Sequence, residues 1–179
     1  MIENLASVYR DRGRYTDAET LLVQNLKIQQ QAFGANHPNV ASALNGVASL
    51  YQLMKKFDKC EEAYKRAITI YETVAKGKPD VDLALTLNDL AVFYVVQKKY
   101  EQAEDIYLKS LDQYERCLGS THPDVGQAMC NLAGFYNIKG DTKKAEDYYK
   151  RSVATLSKTV GSNDPRLVKA MTRLAALKK

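Results

Sequence analysis

Four copies of one short pattern at a near-constant spacing constrain this chain more than any other feature of its 179 residues. The segments NLASVY (4–9), GVASLY (46–51), DLAVFY (89–94) and NLAGFY (131–136) recur every 42 or 43 residues. Each sets an aliphatic residue, Ala and Tyr in fixed order, as in Leu5-Ala6-Tyr9 and Leu132-Ala133-Tyr136. A partial fifth copy, Leu174-Ala175, has Lys178 in the Tyr slot. A second landmark follows in register: Tyr15…Ala18-Glu19, Phe57…Cys60-Glu61, Tyr100…Ala103-Glu104 and Thr142…Ala145-Glu146. A third is GxxHP at Gly34–Pro38 and Gly119–Pro123, echoed by Gly161–Pro165 and, degraded, by Gly77–Asp80. A period of this length means one supersecondary unit repeated, each copy burying its apolar face only against its neighbours.

The spacings within a unit are helical. Leu90, Ala91 and Tyr94 share one face of a 3.6-residue period. The apolar residue three places earlier (Ile2, Leu44, Leu87, Met129, Met171) completes an i, i+3, i+4, i+7 stripe. Ala103, Ile106, Tyr107, Leu111 and Tyr114 form the stripe of a second helix, and Ala91 facing Ala103 allows close approach. Asp164-Pro165, His37-Pro38, His122-Pro123 and Asp80 mark helix starts, the proline sitting where its missing amide hydrogen costs nothing. Gly34, Gly77, Gly119 and Gly161 mark helix ends, where a left-handed residue is cheap. The predicted map is nine helices, at about 2–12, 15–33, 38–54, 57–75, 80–97, 100–117, 123–139, 142–159 and 165–178.

Composition narrows the function classes. The chain has no run of 18 apolar residues, and MIENLASVYRDRG lacks the basic and apolar blocks of a signal peptide. Cys60, Cys117 and Cys130 are odd in number and form no CxxC, which fits a reduced, intracellular setting better than a disulfide framework. The net charge of +5 resides wholly in Lys158, Arg166, Lys169, Arg173, Lys178 and Lys179 against Asp164. A neutral body with a basic tip is a poor footprint for nucleic acid.

Chemistry finds no foothold. His37 and His122 read as helix-start residues, with no converging ligands for a metal. Cys60 replaces a packing Ala and reads as buried and inert, while Cys130 falls off the packing stripe without a basic partner at helical spacing. Glu61, Glu104 and Glu146 recur once per unit, as solvated or inter-helix polar contacts do and a catalytic pair does not. Most of the 12 Tyr lie on packing stripes. No cofactor is implied, and the chain does not read as an enzyme.

Helix-turn-helix units with Leu, Ala and Tyr in the first helix and Ala in the second resemble tetratricopeptide repeats. The period of about 42, the AE pair and the junctions GANHPNVA (34–41) and GSTHPDVG (119–126) resemble the lengthened repeats of the kinesin light chain and nephrocystin-3 subtype. That resemblance implies an all-α fold, a right-handed α-solenoid of helical hairpins with a C-terminal capping helix. Residues 1–179 form a single array, with repeats at about 1–37, 38–79, 80–122 and 123–164 and the cap at 165–178. It further implies a protein or peptide partner, cargo or adaptor recognition, a kinesin heavy chain or cargo adaptor in the parent protein, and a cytoplasmic, cytoskeleton-associated setting. The subtype's paired Asn before Leu-Ala is kept only by half: Glu3-Asn4, Asn45-Gly46, Asn88-Asp89 and Cys130-Asn131 carry one Asn each. Met1 falls where a first helix is already under way, the pattern expected of a piece of a longer array.

If the first helix of each unit lines the concave side, as in tetratricopeptide arrays, the groove residues lie opposite Leu-Ala-Tyr. They are Glu3, Ser7 and Arg10, then Ser42, Asn45, Ser49 and Gln52, then Leu85, Asn88, Val92 and Val95. Gln127, Asn131, Gly134 and Asn137 follow, and Lys169, Arg173 and Ala176 close the series. Val92, Val95 and Val96 form an apolar patch suited to one anchor of a bound peptide, and the Asn and Gln amides suit its backbone. Lys169 and Arg173 share a face, which favours a peptide acidic toward the C-terminal units. The competing reading is a spacer or assembly segment of a larger protein, without a groove ligand.

Overall fold

The computed structural model describes residues 2–177. Met1, Lys178 and Lys179, with the expectations placed on them, lie outside the described residues. Among the described residues there are nine α-helices: α1 (Ile2–Asp11), α2 (Tyr15–Phe33), α3 (Pro38–Leu53), α4 (Phe57–Ala75), α5 (Val81–Val96), α6 (Tyr100–Leu118), α7 (Pro123–Lys139), α8 (Thr142–Thr159) and α9 (Pro165–Ala176). The bounds fall within two residues of those the periodicity predicts. The chain divides after Lys78 into two compact units. In the first, hairpins α1/α2 and α3/α4 pack through α2 and α3; in the second, α5/α6 and α7/α8 pack through α6 and α7, with α9 against α8 and α7.

Each hairpin closes by the same backbone device. Arg14, Lys56, Lys99 and Asp141 donate their N–H groups to the carbonyls of Tyr9, Tyr51, Tyr94 and Tyr136, over 2.8–2.9 Å. The residue before each donor is left-handed: Gly13 (φ 72°), Lys55 (58°), Lys98 (58°) and Gly140 (88°). This ties off the last carbonyls of each first helix. The repeated Tyr therefore packs through its ring and caps through its carbonyl. The starts of α3 and α7 are capped by a ring nitrogen, Nδ1 of His37 and His122 accepting from the N–H of Asn39 and Asp124 at 3.2 Å. Asp80 and Asp164 cap α5 and α9 with a carboxylate oxygen.

Small residues set the helix separation inside a hairpin. Ala18, Ala48, Cys60, Ala91, Ala103, Ala133 and Ala145 are all fully buried. Burial pushes the Cys60 thiol up to about 12, leaving it protonated and inert. In the second unit a buried Ser on the second helix bonds a carbonyl of the first: Ser110 Oγ donates to Ala84 O at 2.7 Å and Ser152 Oγ to Gly126 O at 2.6 Å. A β-carbon on Gly126 would stand 2.8 Å from Leu156 Cγ, so α7 and α8 touch where only glycine fits. The recurrent Glu joins successive hairpins: Glu19 accepts from Lys56 Nζ at 2.7 Å, and Glu104 accepts from Tyr136 Oη at 2.9 Å and from Lys139.

Three expectations need correction. Gly161 is not left-handed, because α8 ends instead on extended Val160 (φ −128°). Leu5 and Met171 sit on the repeat stripe yet are 46% and 53% exposed, since no helix among the described residues covers those faces of α1 and α9. Cys130 is buried beside Ser152 and within the field of Lys169 and Arg173. Burial still pushes its thiol up. Its basic neighbours come from α9, so spacing within α7 could not reveal them.

Candidate functional site

The face of α5 that the fold leaves open is apolar. Val81, Leu85, Val92 and Val96 are 37–56% exposed, at spacings that keep them on one side of the helix. Asn88 lies within this stripe, half-buried. Between α5 and α7 runs a cleft of about 280 Å³ lined by Val81, Leu85, Asn88, Gln127, Ala128 and Asn131, with Tyr114 and Asp124. Three amides form a ladder across it. Gln127 Nε2 donates to Asn131 Oδ1 at 2.9 Å, and Asn131 Nδ2 donates to Asn88 Oδ1 at 2.9 Å. Each amide has more donors or acceptors than the ladder uses, so it can also meet an incoming backbone.

Tyr114 forms part of this lining, its phenol pushed up to about 12 by burial and by Asp124, Asp89 and Asp82. Asp89, beside Asn88, is also raised, chiefly by burial. Asp124 is paired with Arg166 of α9 at 3.3 Å. The sequence pattern missed Tyr114 and Asp124 as lining residues. Asp124 had a usable signal: it and Arg166 follow the prolines of two successive junctions, which stacking brings together.

The first unit holds a counterpart between α1 and α3, a cleft of about 220 Å³. Its walls are Glu3, Ser7 and Arg10 on α1 and Ser42, Ser49 and Leu50 on α3, with Ala6, Leu22 and Gly46 beneath. Arg10 Nη2 donates to Ser7 Oγ at 2.9 Å, and Glu3 accepts from Asn25 of α2 at 3.1 Å.

The expected groove residues thus divide. Glu3, Ser7, Arg10, Ser42 and Ser49 join one cleft; Leu85, Asn88, Gln127 and Asn131 converge on the other. Asn45, Gln52, Val92, Val95 and Asn137 line neither. Lys169 and Arg173 are exposed on α9, where the Arg173 guanidinium lies over Gly134 near the Tyr149 phenol. Among the described residues no three His, Cys, Asp or Glu side chains gather as a metal site. No described helix is long and apolar enough to cross a membrane.

Stacked hairpins with open first-helix faces make a helical-repeat architecture typical of protein-interaction scaffolds. Residues 1–73 and 82–158 match the Tetratricopeptide repeat family, and the chain belongs to it. That fold is a known non-catalytic scaffold.

Nephrocystin-3 of Xenopus laevis and of Homo sapiens are each 36% identical over 67 residues, 37% of this chain. The match spans only 5% of the length of those relatives. The TPR-like repeats of a Podosopora anserina protein named as a kinesin light chain superpose with a TM-score of 0.82 at 22% identity, covering 98% of this chain and 83% of that one. BtubC (BKLC) from P. vanneervenii gives a TM-score of 0.87 at 25% identity, covering 98% and 70%.

Proposed function

We propose that the chain binds an extended peptide segment of a partner protein along its first-helix faces, as a cargo or adaptor module of the kinesin light chain and nephrocystin-3 repeat subtype. The observation that carries this reading is the α5 stripe beside the amide ladder. Exposed Val81, Leu85, Val92 and Val96 offer apolar anchorage, and Asn88, Gln127 and Asn131 offer donors and acceptors to a backbone laid next to it. Val95 and Asn137 extend the proposed contact surface on α5 and α7, and Asn45, Ser49 and Gln52 supply one on α3 of the first unit. Lys169 and Arg173 favour acidic residues toward the C-terminal end. The setting is cytoplasmic and cytoskeletal, with a kinesin heavy chain or cargo adaptor as companion in the parent protein.

The test is a displayed random-peptide library panned on the full chain, with affinities of the enriched peptides then measured on variants. Asn88→Ala with Asn131→Ala lowers affinity about 10-fold at unchanged helicity. Lys169→Glu with Arg173→Glu lowers it by a similar factor at low salt, through slower association, and the gap narrows as salt rises. An empty selection refutes peptide recognition. Enriched peptides indifferent to the Asn pair refute the assigned site.

A further inference from the structure

The cleft between α1 and α3 differs in chemistry from the one between α5 and α7, and we infer that it is a separate subsite for an apolar side chain flanked by a cation and an anion of the same bound segment. This rests on the reading of the chain as a peptide-binding scaffold and adds the partner's chemistry at the first unit.

The inference begins with Gly46. In the repeat register Gly46 and Asn131 both precede the packing Leu or Val, and Glu3 and Asn88 both stand two places before it. Asn131 reaches back to Asn88 and closes the space between α5 and α7 with a hydrogen bond. Gly46 has no side chain to make the corresponding bridge to Glu3. The gap opens onto Leu22, whose Cδ2 would stand 3.6 Å from a β-carbon on Gly46, and onto Ala6 and Leu50. A notch with an apolar floor results, in a cleft of about 220 Å³, enough for one aliphatic side chain.

The rim supplies opposite charges. Glu3 and Arg10 both line the cleft from α1, seven residues and therefore about 10 Å apart along the helix. Side chains alternate along an extended peptide, so the residues two before and two after the buried one return to the same side, about 13 Å apart. A basic residue at one of these places meets Glu3 and an acidic residue at the other meets Arg10. Ser42 and Ser49 on the opposite wall can bond the backbone between them. The second unit's cleft is rimmed differently: its carboxylate, Asp124, is held by Arg166 at 3.3 Å. Glu3 instead accepts from the neutral Asn25 amide, and Arg10 is half-exposed, with one nitrogen on Asp11 at 3.3 Å and another on Ser7.

Two synthetic peptides test this, each with a central Leu: one with Lys two places before it and Glu two places after, the other with both positions Lys. Each is titrated into the full chain. The first is expected to bind about 10-fold more tightly, and Gly46→Asn, which restores the bridging residue of the second unit, should weaken it about 10- to 100-fold. Glu3→Lys combined with Arg10→Glu should bring the two peptides to within about 3-fold of each other. Gly46→Ala adds only a β-carbon in ordinary contact, so it folds and should weaken the first peptide by a smaller factor. Equal affinity for both peptides, or indifference to Gly46→Asn, overturns the inference. If library peptides still bind and depend on Asn88 and Asn131, the broader reading stands without this subsite.

Discussion

The two clefts are built on one scaffold and end as different surfaces. Between α5 and α7 an amide ladder spans the gap, and the neighbouring stripe on α5 is exposed and aliphatic. Between α1 and α3 the bridging side chain is missing at Gly46, and the rim is charged and serine-rich. The repeat residues Leu, Ala and Tyr are alike in both. What differs is the pair of positions just before them, which the packing leaves open. In such a fold the core sets the architecture, and one or two residues per helix set what each groove segment can hold.

Glycines sharpen the contrast most, because Gly46 and Gly126 both lie within first helices and face opposite conditions. At Gly126 a β-carbon would lie 2.8 Å from Leu156 Cγ, a branch atom that cannot swing away. Gly126→Ala should therefore cost about 2 kcal/mol in urea denaturation, despite its better helix propensity. Gly46→Ala meets only Leu22 Cδ2 at 3.6 Å and should gain about 0.5–1 kcal/mol. Equal signs for the two would break the claim that one site is closed and the other open.

The hairpin turns extend the comparison. Lys55 and Lys98 hold the left-handed conformation that Gly13 and Gly140 hold in the other hairpins. Lys55→Gly and Lys98→Gly should each stabilise by about 0.5–1 kcal/mol, seen as a higher denaturation midpoint. A loss of stability would mean that the lysine side chains contribute more than their backbone strain costs.

The smallest effect concerns α9. Asp164 caps that helix, and its bonds to Arg166 hold its carboxyl down to about 2, below the ordinary 3.8. A depressed carboxyl stabilises the folded state above its ordinary value and loses that contribution as pH falls through about 2. Amide protection in α9, relative to the intrinsic exchange rate at each pH, should therefore fall between about pH 4 and pH 2, and Asp164→Asn should flatten that fall. An identical pH response in the variant would remove Asp164 as its source.

Much of this fold can be read in the sequence, because its signals are repeated. Stripes and junction prolines locate the helices to within two residues, since their causes lie within a turn or two of chain. The left-handed turns had a signal that was not used: Gly13, Lys55, Lys98 and Gly140 all stand two places before the start of a second helix. The burial of Cys130 could not be read locally, because Ser152, Lys169 and Arg173 reach it from other helices. The site shows the same divide. Periodicity places Asn88, Gln127, Asn131 and Ser49 on the open faces, but the bridge from Asn131 to Asn88 joins residues 43 apart. Packing of α7 against α6 brings Asn131 within reach of Asn88, and Gly46 at the matching place leaves the other copy notched.

The central claim is that ligand recognition occurs on the open faces of the first helices. Methyl and side-chain amide NMR spectra of the full chain, recorded with and without an enriched library peptide, test it most directly. The account predicts that Leu85, Val92 and Val96 methyls and the Asn88 and Asn131 amides shift on binding, while Val23 and Leu108 on the second helices do not. Shifts confined to Val23 and Leu108, or to Val168 and Met171 on the outer face of α9, would contradict it and favour a spacer or end-to-end assembly segment.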